Sequence, residues 1–488
     1  MSMGHAAHSH PASAQQGLSG QPGGSVTVCI VGAGSMFCPT LCRDLLLVPG
    51  LDRGELRLCD IDESRLATMA TLIRRLLVQT SRAEGWTVRA SPRRDELLPG
   101  SNYVICCIEV AGEACVGIEN DIPARWGVDQ CIGDTVGPGG LMKGLRTAPV
   151  YLELLRDIHE HCPEAILLNY TNPMSLLILA GARAVPQVRA VGLCHSVQGT
   201  SQLLAHYAGV PYEEMEWQCA GINHLAWFTT LRHHGRDLYK TVLLERFARE
   251  VAEGIRQAEA GQGVHDSLDE RPNERERADL VRKDMCLHFG AFITESSGHL
   301  SEYLPYYRKS AEGRKLLRRG YDGGSRFYAT NWPAWKRRAD EQRERLIRGE
   351  QEMELVRSWE YASWIIEAME KDAPLRIHGN VYNRDGSGGS LITNLPDDGA
   401  VEVACLVDRA GIHPTRFGKL PSHMAHICRD NMAFFDLAAD AVIERSLDLA
   451  ELALQLDPLT RAVCTPAQIR ALARELFAAE ADFLPGYR

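Results

Sequence analysis

A β-branched run from Val26 to Val31 leads straight into Gly32-Ala33-Gly34-Ser35, after which Leu41, Leu45 and Leu46 recur at helical spacing. Strand, glycine turn and amphipathic helix in this order commit the start of the chain to an α/β layer. Further apolar runs at Glu55 to Cys59, Tyr103 to Glu109, Ala165 to Asn169 and Val188 to Leu193 alternate with helical patterns such as Leu66 to Leu77 and Val150 to His159. Such alternation demands right-handed crossovers and predicts a doubly wound, mostly parallel sheet over residues 26–200. The pattern then changes. Glu216 to Leu231 reads as a strand, Leu391 to Thr393 and Val401 to Val407 as short strands, and Asn431 to Leu454 and Pro466 to Ala479 as helices, which makes 201–488 an α+β substrate, metal and oligomerisation half. The first 25 residues lack periodicity and are expected to form a disordered tail, with His5, His8 and His10 solvated. Residues 246–284 are dense in charge and glycine and are expected to include an exposed loop.

With 45% apolar and 24% charged residues, the chain of 488 can bury a large core, and its formal charge of -10 offers nothing to neutralise a phosphate backbone. Small molecules, not nucleic acid or membrane, are the expected partners. No apolar run approaches the roughly 18 to 20 residues of a membrane span, and the N-terminus lacks the apolar core of a signal peptide, so a cytoplasmic protein is expected. The fifteen cysteines are scattered through apparent strands and helices and read mostly as reduced core residues.

Five stretches carry groups suited to chemistry. Gly32-x-Gly34 at the first strand-to-helix turn lets backbone approach a pyrophosphate, and Asp60, 26 residues after Gly34, stands where an acid accepts ribose hydroxyls. Together they predict a Rossmann-type NAD site, the acid disfavouring a 2′-phosphate. Gly133 to Gly140 reads as a loop too glycine-rich for helix or strand, its amides facing a polar ligand. Asn169-Tyr170-Thr171-Asn172-Pro173 ends an apolar strand at the crevice edge of the sheet, where the amides can grip hydroxyls or Asn172 can cap the following helix. Cys194 follows another strand at a helix N-terminus, a setting that favours the thiolate and singles it out from the other cysteines. Asn223-His224 lies in an apolar stretch, where a core histidine and a metal ligand are both open readings. Thr294 to Tyr303, rich in acid, hydroxyl and imidazole, reads as a polar turn near substrate.

The ordered series Gly-x-Gly-Ser, Asp-Ile-Asp, Gly-Asp-Thr-x-Gly-Pro-Gly-Gly, Asn-x-Thr-Asn-Pro, Cys-His-Ser-Val and Gly-x-Asn-His resembles glycoside hydrolase family 4, from about Val26 to Asp482. The resemblance implies a fold similar to lactate and malate dehydrogenases, C-terminal α+β domain included, with NAD on the N-terminal half, contacted by Gly32, Gly34, Ser35, Met36, Asp60 and Glu109. It also implies a divalent metal, usually Mn2+, on Cys194 and His224. Such enzymes depart from the two-carboxylate glycosidase scheme. Hydride leaves C3 of the sugar for NAD, the C2 proton becomes acidic, the glycosidic oxygen leaves C1, water adds, and the hydride returns.

On that pattern His195 protonates the leaving group, and Tyr303 is the expected C2 base, with His299 and Glu302 as alternatives. Asn172, Asn169, Asn223 and His299 contact the sugar. Cys-His-Ser-Val with Thr-Glu-Ser-Ser-x-His is similar to the α-galactosidase branch. An α-glucosidase or an α-galacturonidase is the alternative within the family, the latter needing a cation such as Lys143 or Arg146. Members are generally homodimers or homotetramers. Outside the family, an NAD-dependent hydroxy-acid dehydrogenase would need no Cys194, and a non-catalytic NAD-binding regulator would need neither Cys194, His195 nor His224.

Overall fold

The computed structural model describes residues 17–261 and 278–488, so His5, His8 and His10 and residues 262–277 of the charged segment lie outside the described residues. Six strands form a parallel layer: β1 (Val26–Val31), β2 (Gly54–Cys59), β3 (Trp86–Ser91), β4 (Tyr103–Cys106), β5 (Ile166–Asn169) and β6 (Arg189–Gly192). Their order is β3-β2-β1-β4-β5-β6, every neighbouring pair parallel. This is the doubly wound arrangement, whose chain reversal between β1 and β4 opens a crevice at the carboxyl ends of the strands. β1, β4 and β5 are apolar along almost their whole length because helices cover both faces.

The sheet does not stop at residue 200. β6 pairs antiparallel with β11 (Leu375–Tyr382) through Gly192 and Asn380, and β11 pairs with β12 (Ala400–Asp408) over eight residue pairs. Beyond lie β7 (Met215–Ile222), β8 (Leu225–His233) and β10 (Phe292–Ile293), while β9 (Arg236–Asp237) flanks β8 and β13 (Gly411–Pro414) flanks β12. The α+β half therefore extends the first sheet instead of building a separate one. Long helices, Gly137–His161, Met174–Ala184 and Ser422–Glu444, pack against one another and close one side of the core.

Several local expectations change. The apolar run Glu216 to Leu231 is a hairpin, because Asn223-His224 forms a two-residue turn with His224 in the left-handed region at φ 61°. Leu391 to Thr393 contributes only an isolated bridge at Ile392. The disorder expected of the first 25 residues does not hold at Leu18, whose amide donates to Glu367 Oε1 and whose carbonyl accepts from Lys371 Nζ. The charged segment begins as the helix Leu244–Glu259 and resumes as the helix Leu280–Phe289. Among the described residues no helix is long and apolar enough to cross a membrane. All fifteen cysteines are buried and free.

Candidate active site

A cleft opens along the carboxyl ends of β1, β4, β5 and β6 and reaches the β7–β8 turn. Just outside the lining at one end, Gly32 adopts φ 88°, and a Cβ there would stand 2.6 Å from the Cys107 carbonyl carbon, so only glycine fits between β1 and β4. The Gly32 and Ala33 amides donate to the Cys59 carbonyl, and the Gly34 amide donates to Asp60 Oδ2 at 2.7 Å. The glycine turn and the acid at the end of β2 are thus one unit. Each Asp60 oxygen keeps a lone pair free for a hydroxyl, since Oδ1 accepts only the Asp62 amide. Ser35, Met36 and Glu109 line the cleft beside this turn. The donors, the glycine cradle and the uncapped N-terminus of the helix Cys38–Leu46 suit a dinucleotide.

At the other end, one donor atom each from Cys194, His224 and Glu295 lie within 4.8 Å of one another. Cys194 follows β6, His224 tips the hairpin, and Glu295 sits in the left-handed region at φ 76°, a conformation that a branchless glycine tolerates and a glutamate rarely adopts. Arg282 holds this last segment in place: its guanidinium chelates Asp279, whose carboxylate also accepts from Ser297 Oγ at 2.7 Å. Burial would raise the Glu295 carboxyl, but His299, His224 and His195 outweigh it and hold it at about 2. Burial, helped by His299, lowers His224 to about 4, leaving a neutral imidazole whose Nδ1 has no hydrogen-bond partner. A thiolate-capable sulfur, a neutral imidazole and an ionised carboxylate are a donor set that fits a divalent cation.

Two expectations about this end need correction. Burial pushes the Cys194 thiol well above its usual range, with Glu295 and Glu402 adding to the effect, against weaker opposing bonds from Ser196. The helix Ser196–Ala208 therefore does not by itself yield a thiolate, and only a bound cation reverses the balance. The second concerns the stretch Thr294 to Tyr303, which is no polar turn. It contains the buried helix Ser297–Tyr303, capped by Ser296, whose Oγ accepts from the His299 amide and meets His299 Nδ1 at 3.0 Å.

That helix sorts the candidate bases. His299 lines the cleft, its ring 4.6 Å from that of His224 and its Nε2 4.0 Å from Asp134 Oδ1. Tyr303 is buried behind His224, outside the cleft lining. Glu302 accepts the Cys131, Ile132 and Gly133 amides and so braces the glycine segment. That segment is itself only half loop. The helix Gly137–His161 starts within it, and a Cβ on Gly139 would come 2.3 Å from the Gly133 carbonyl oxygen. Its role is close packing that delivers Asp134 to the cleft.

The amides divide similarly. Asn172 faces the cleft, 3.5 Å from Asp134 Oδ2, and does not cap the helix Met174–Ala184. Asn169 is fully buried, spending its amide on Thr171 and Met174, and Asn223 is fully buried within the hairpin turn; neither lines the cleft. His195 lines it, with Nδ1 3.8 Å from Glu360 Oε1. Lys143 lines it too, ion-paired with Glu109 at 2.8 Å and with Asp134 at 3.8 Å. Arg146 is buried away from it between Glu119 and Glu480.

Asp134, Glu295 and Glu360 were not singled out from the sequence. The first two do lie inside recognisable motifs, in glycine-rich or hydroxyl-rich surroundings.

Residues 27–210 match the family model described as family 4 glycosyl hydrolase, and residues 219–460 match the model of that family's C-terminal domain. The chain belongs to glycosyl hydrolase family 4. Within family 4 it is 34% identical to an α-galactosidase of Rhizobium meliloti, over 95% of this chain and 90% of that protein. It is also 34% identical to an α-galactosidase of Bacillus subtilis, over 94% and 99%. The crystal structure of a putative glucosidase from Bacillus subtilis superposes with a TM-score of 0.77 at 26% identity, covering 93% of this chain and 99% of that one. A 6-phospho-α-glucosidase from gut microorganisms, solved with NAD and Mn2+, shares the fold with a TM-score of 0.74 at 20% identity, covering 95% and 100%.

Proposed function

We propose that this family 4 enzyme hydrolyses α-galactosides, using NAD catalytically and a divalent cation such as Mn2+. Cys194, His224 and Glu295 would hold the cation, and Gly32, Gly34, Ser35, Met36, Asp60 and Glu109 would hold NAD. When bound, these groups supply a hydride acceptor for C3 and a Lewis acid for the C2 and C3 oxygens.

The chain's own residues do the rest. His299 takes the C2 proton at Nε2, because Ser296 Oγ occupies its Nδ1, and the ionised Asp134 stabilises the resulting imidazolium. Burial opposes that charge on Asp134, but Lys143 and His299 overcome it and keep the carboxylate below its usual range. His195 donates the proton to the departing glycosidic oxygen, and Asn172, beside Asp134, binds a sugar hydroxyl.

The observation that carries the choice of a neutral sugar is the state of Lys143. Among the described residues it is the one lysine or arginine lining the cleft, and two carboxylates already pair it. A uronate or a sugar phosphate entering there would meet no uncommitted cation, whereas a galactose hydroxyl can accept or donate to the pair as it stands. The two α-galactosidase relatives support the same reading. Fifteen free cysteines support a reducing, cytoplasmic setting, and a homodimer or homotetramer is the assembly we infer, to be read by light scattering.

The test is release of nitrophenol from an aryl α-galactoside by reduced, Mn2+-loaded protein, with and without NAD. Turnover requiring both, with no lasting NADH absorbance, supports the proposal. Turnover only of a galacturonide, or net NADH formation from a hydroxy acid, overturns it.

A further inference from the structure

The aromatic residues on the outer wall of the cleft belong to no part of the main core. Val116, Cys131, Ile132, Tyr321, Phe327 and Tyr328 form their own small apolar cluster, with Trp332 and Trp335 packed on its edge. Backbone bonds seat this cluster rigidly: the Tyr328 amide donates to the Cys131 carbonyl at 2.9 Å and the Arg326 amide to the Gln130 carbonyl at 2.6 Å. Tyr328 and Trp332 sit one helical turn apart at the start of the helix Phe327–Arg348, their rings 4.9 Å apart. Both face the cleft and also a narrow adjoining recess that shares Glu109, Asp134 and Lys143 with it.

A chain of charged groups therefore links the chemistry to this wall. His299 lies 4.0 Å from Asp134, Asp134 lies 3.8 Å from Lys143, and Lys143 lies 2.8 Å from Glu109, with Trp332 and Tyr328 beside the last pair. A galactosyl ring whose C2 faces His299 fills the inner part of the cleft. The outer part offers an aromatic face next to paired charges, the combination that suits a second pyranose ring, with its apolar C–H face and its rim of hydroxyls.

Building on the α-galactosidase reading above, we propose that Trp332 and Tyr328 form the subsite for the leaving sugar, so that the enzyme's substrates are galactosyl oligosaccharides. Binding energy gained there, away from the reacting carbons, is available to lower the barrier at C2 and C1. An aglycone without a sugar ring forgoes it.

The experiment compares an α-1,6-galactosyl-glucose disaccharide with α-galactosyl fluoride, whose leaving group cannot reach the wall, on the NAD- and Mn2+-loaded enzyme. Trp332→Ala is expected to reduce kcat/KM on the disaccharide about 10-fold and leave the fluoride within about 2-fold, while Trp332→Phe keeps most of the disaccharide activity. The NAD dissociation constant is read in parallel and is expected to stay unchanged. Equal losses on both substrates, or weakened NAD binding, overturn the subsite. The corresponding glucosyl pair is run alongside. If only that pair turns over and shows the Trp332→Ala difference, the galactoside reading fails and the subsite stands. If neither pair turns over, both fail.

Discussion

His299 Nε2 stands 4.0 Å from Asp134 Oδ1, joining a residue of the buried helix after β10 to the acid of the glycine segment more than 160 positions earlier. From this pairing we propose that His299, in place of Tyr303, takes the C2 proton within the cleft. His299→Gln is expected to lower kcat by about 100-fold or more, in the usual range for a lost general base. Exchange of the C2 proton with deuterated solvent should vanish, while Mn2+ and NAD still bind. Tyr303→Phe should leave that exchange within about 10-fold of the parent. The reverse result would return the base to Tyr303.

Where sequence reading succeeded and failed follows from the range of the interactions involved. Gly32, Gly34 and Asp60 were legible because they belong to one local strand-turn-helix unit and the strand after it, and chemistry fixes their spacing. The hairpin at His224 was hidden because apolar Ile222 and Leu225 flank the turn, and Gly221 lies within β7 and not in the turn itself. β3 was missed because Trp86–Ser91 is a largely exposed edge strand with little alternation. The helix Ser297–Tyr303 escaped notice because all its residues are buried, polar ones included, so no amphipathic period exists to read. Glu295 joins Cys194 and His224 only through the fold, and no local pattern can announce that meeting.

Glu295 bears on metal affinity directly. Replacing it with Gln removes the one carboxylate of the triad and should weaken Mn2+ binding about 10- to 100-fold, measured by electron paramagnetic resonance on the NAD-free protein. Glu295→Asp should recover part of the loss. An unchanged dissociation constant in Glu295→Gln would remove Glu295 from the metal site and leave Cys194 and His224 alone.

Pairing of Lys143 with Glu109 makes a prediction about selectivity. Free galacturonate should compete at least about 10-fold more weakly than galactose, because its carboxylate would enter beside two others. Glu109→Gln uncovers the Lys143 charge and should narrow or reverse that ratio, even if it also weakens NAD. Inhibition constants for the two sugars, taken on the same preparation, decide the matter.

Arg146 is structural. It is buried between Glu119 and Glu480, and burial, with Glu119 close by, raises the Glu480 carboxyl to about 8. Arg146→Met strands two buried acids and should destabilise the protein by about 3 to 5 kcal/mol in urea unfolding at neutral pH. Adding Glu119→Gln should return much of the loss. A direct role for Arg146 in substrate binding would instead raise KM and leave stability intact.

His378 gives the clearest pH signature. It is buried in β11, stacked on Trp217 at 5.1 Å, and burial with nearby Arg376 lowers it to about 3. The unfolded chain binds a proton on this residue from about pH 6.5 downward, while the folded chain does not until about pH 3. Folding stability contributed by the neutral ring is therefore complete above pH 6.5 and is lost progressively as pH falls toward 3. Replacing His378 with Phe removes this site from the linkage, so the stability of the variant relative to the parent should rise as pH drops across that window. Denaturation curves at pH 7, 5.5 and 4 measure the difference, and a difference that stays constant with pH would mean that His378 charges as readily in the fold as in the free chain.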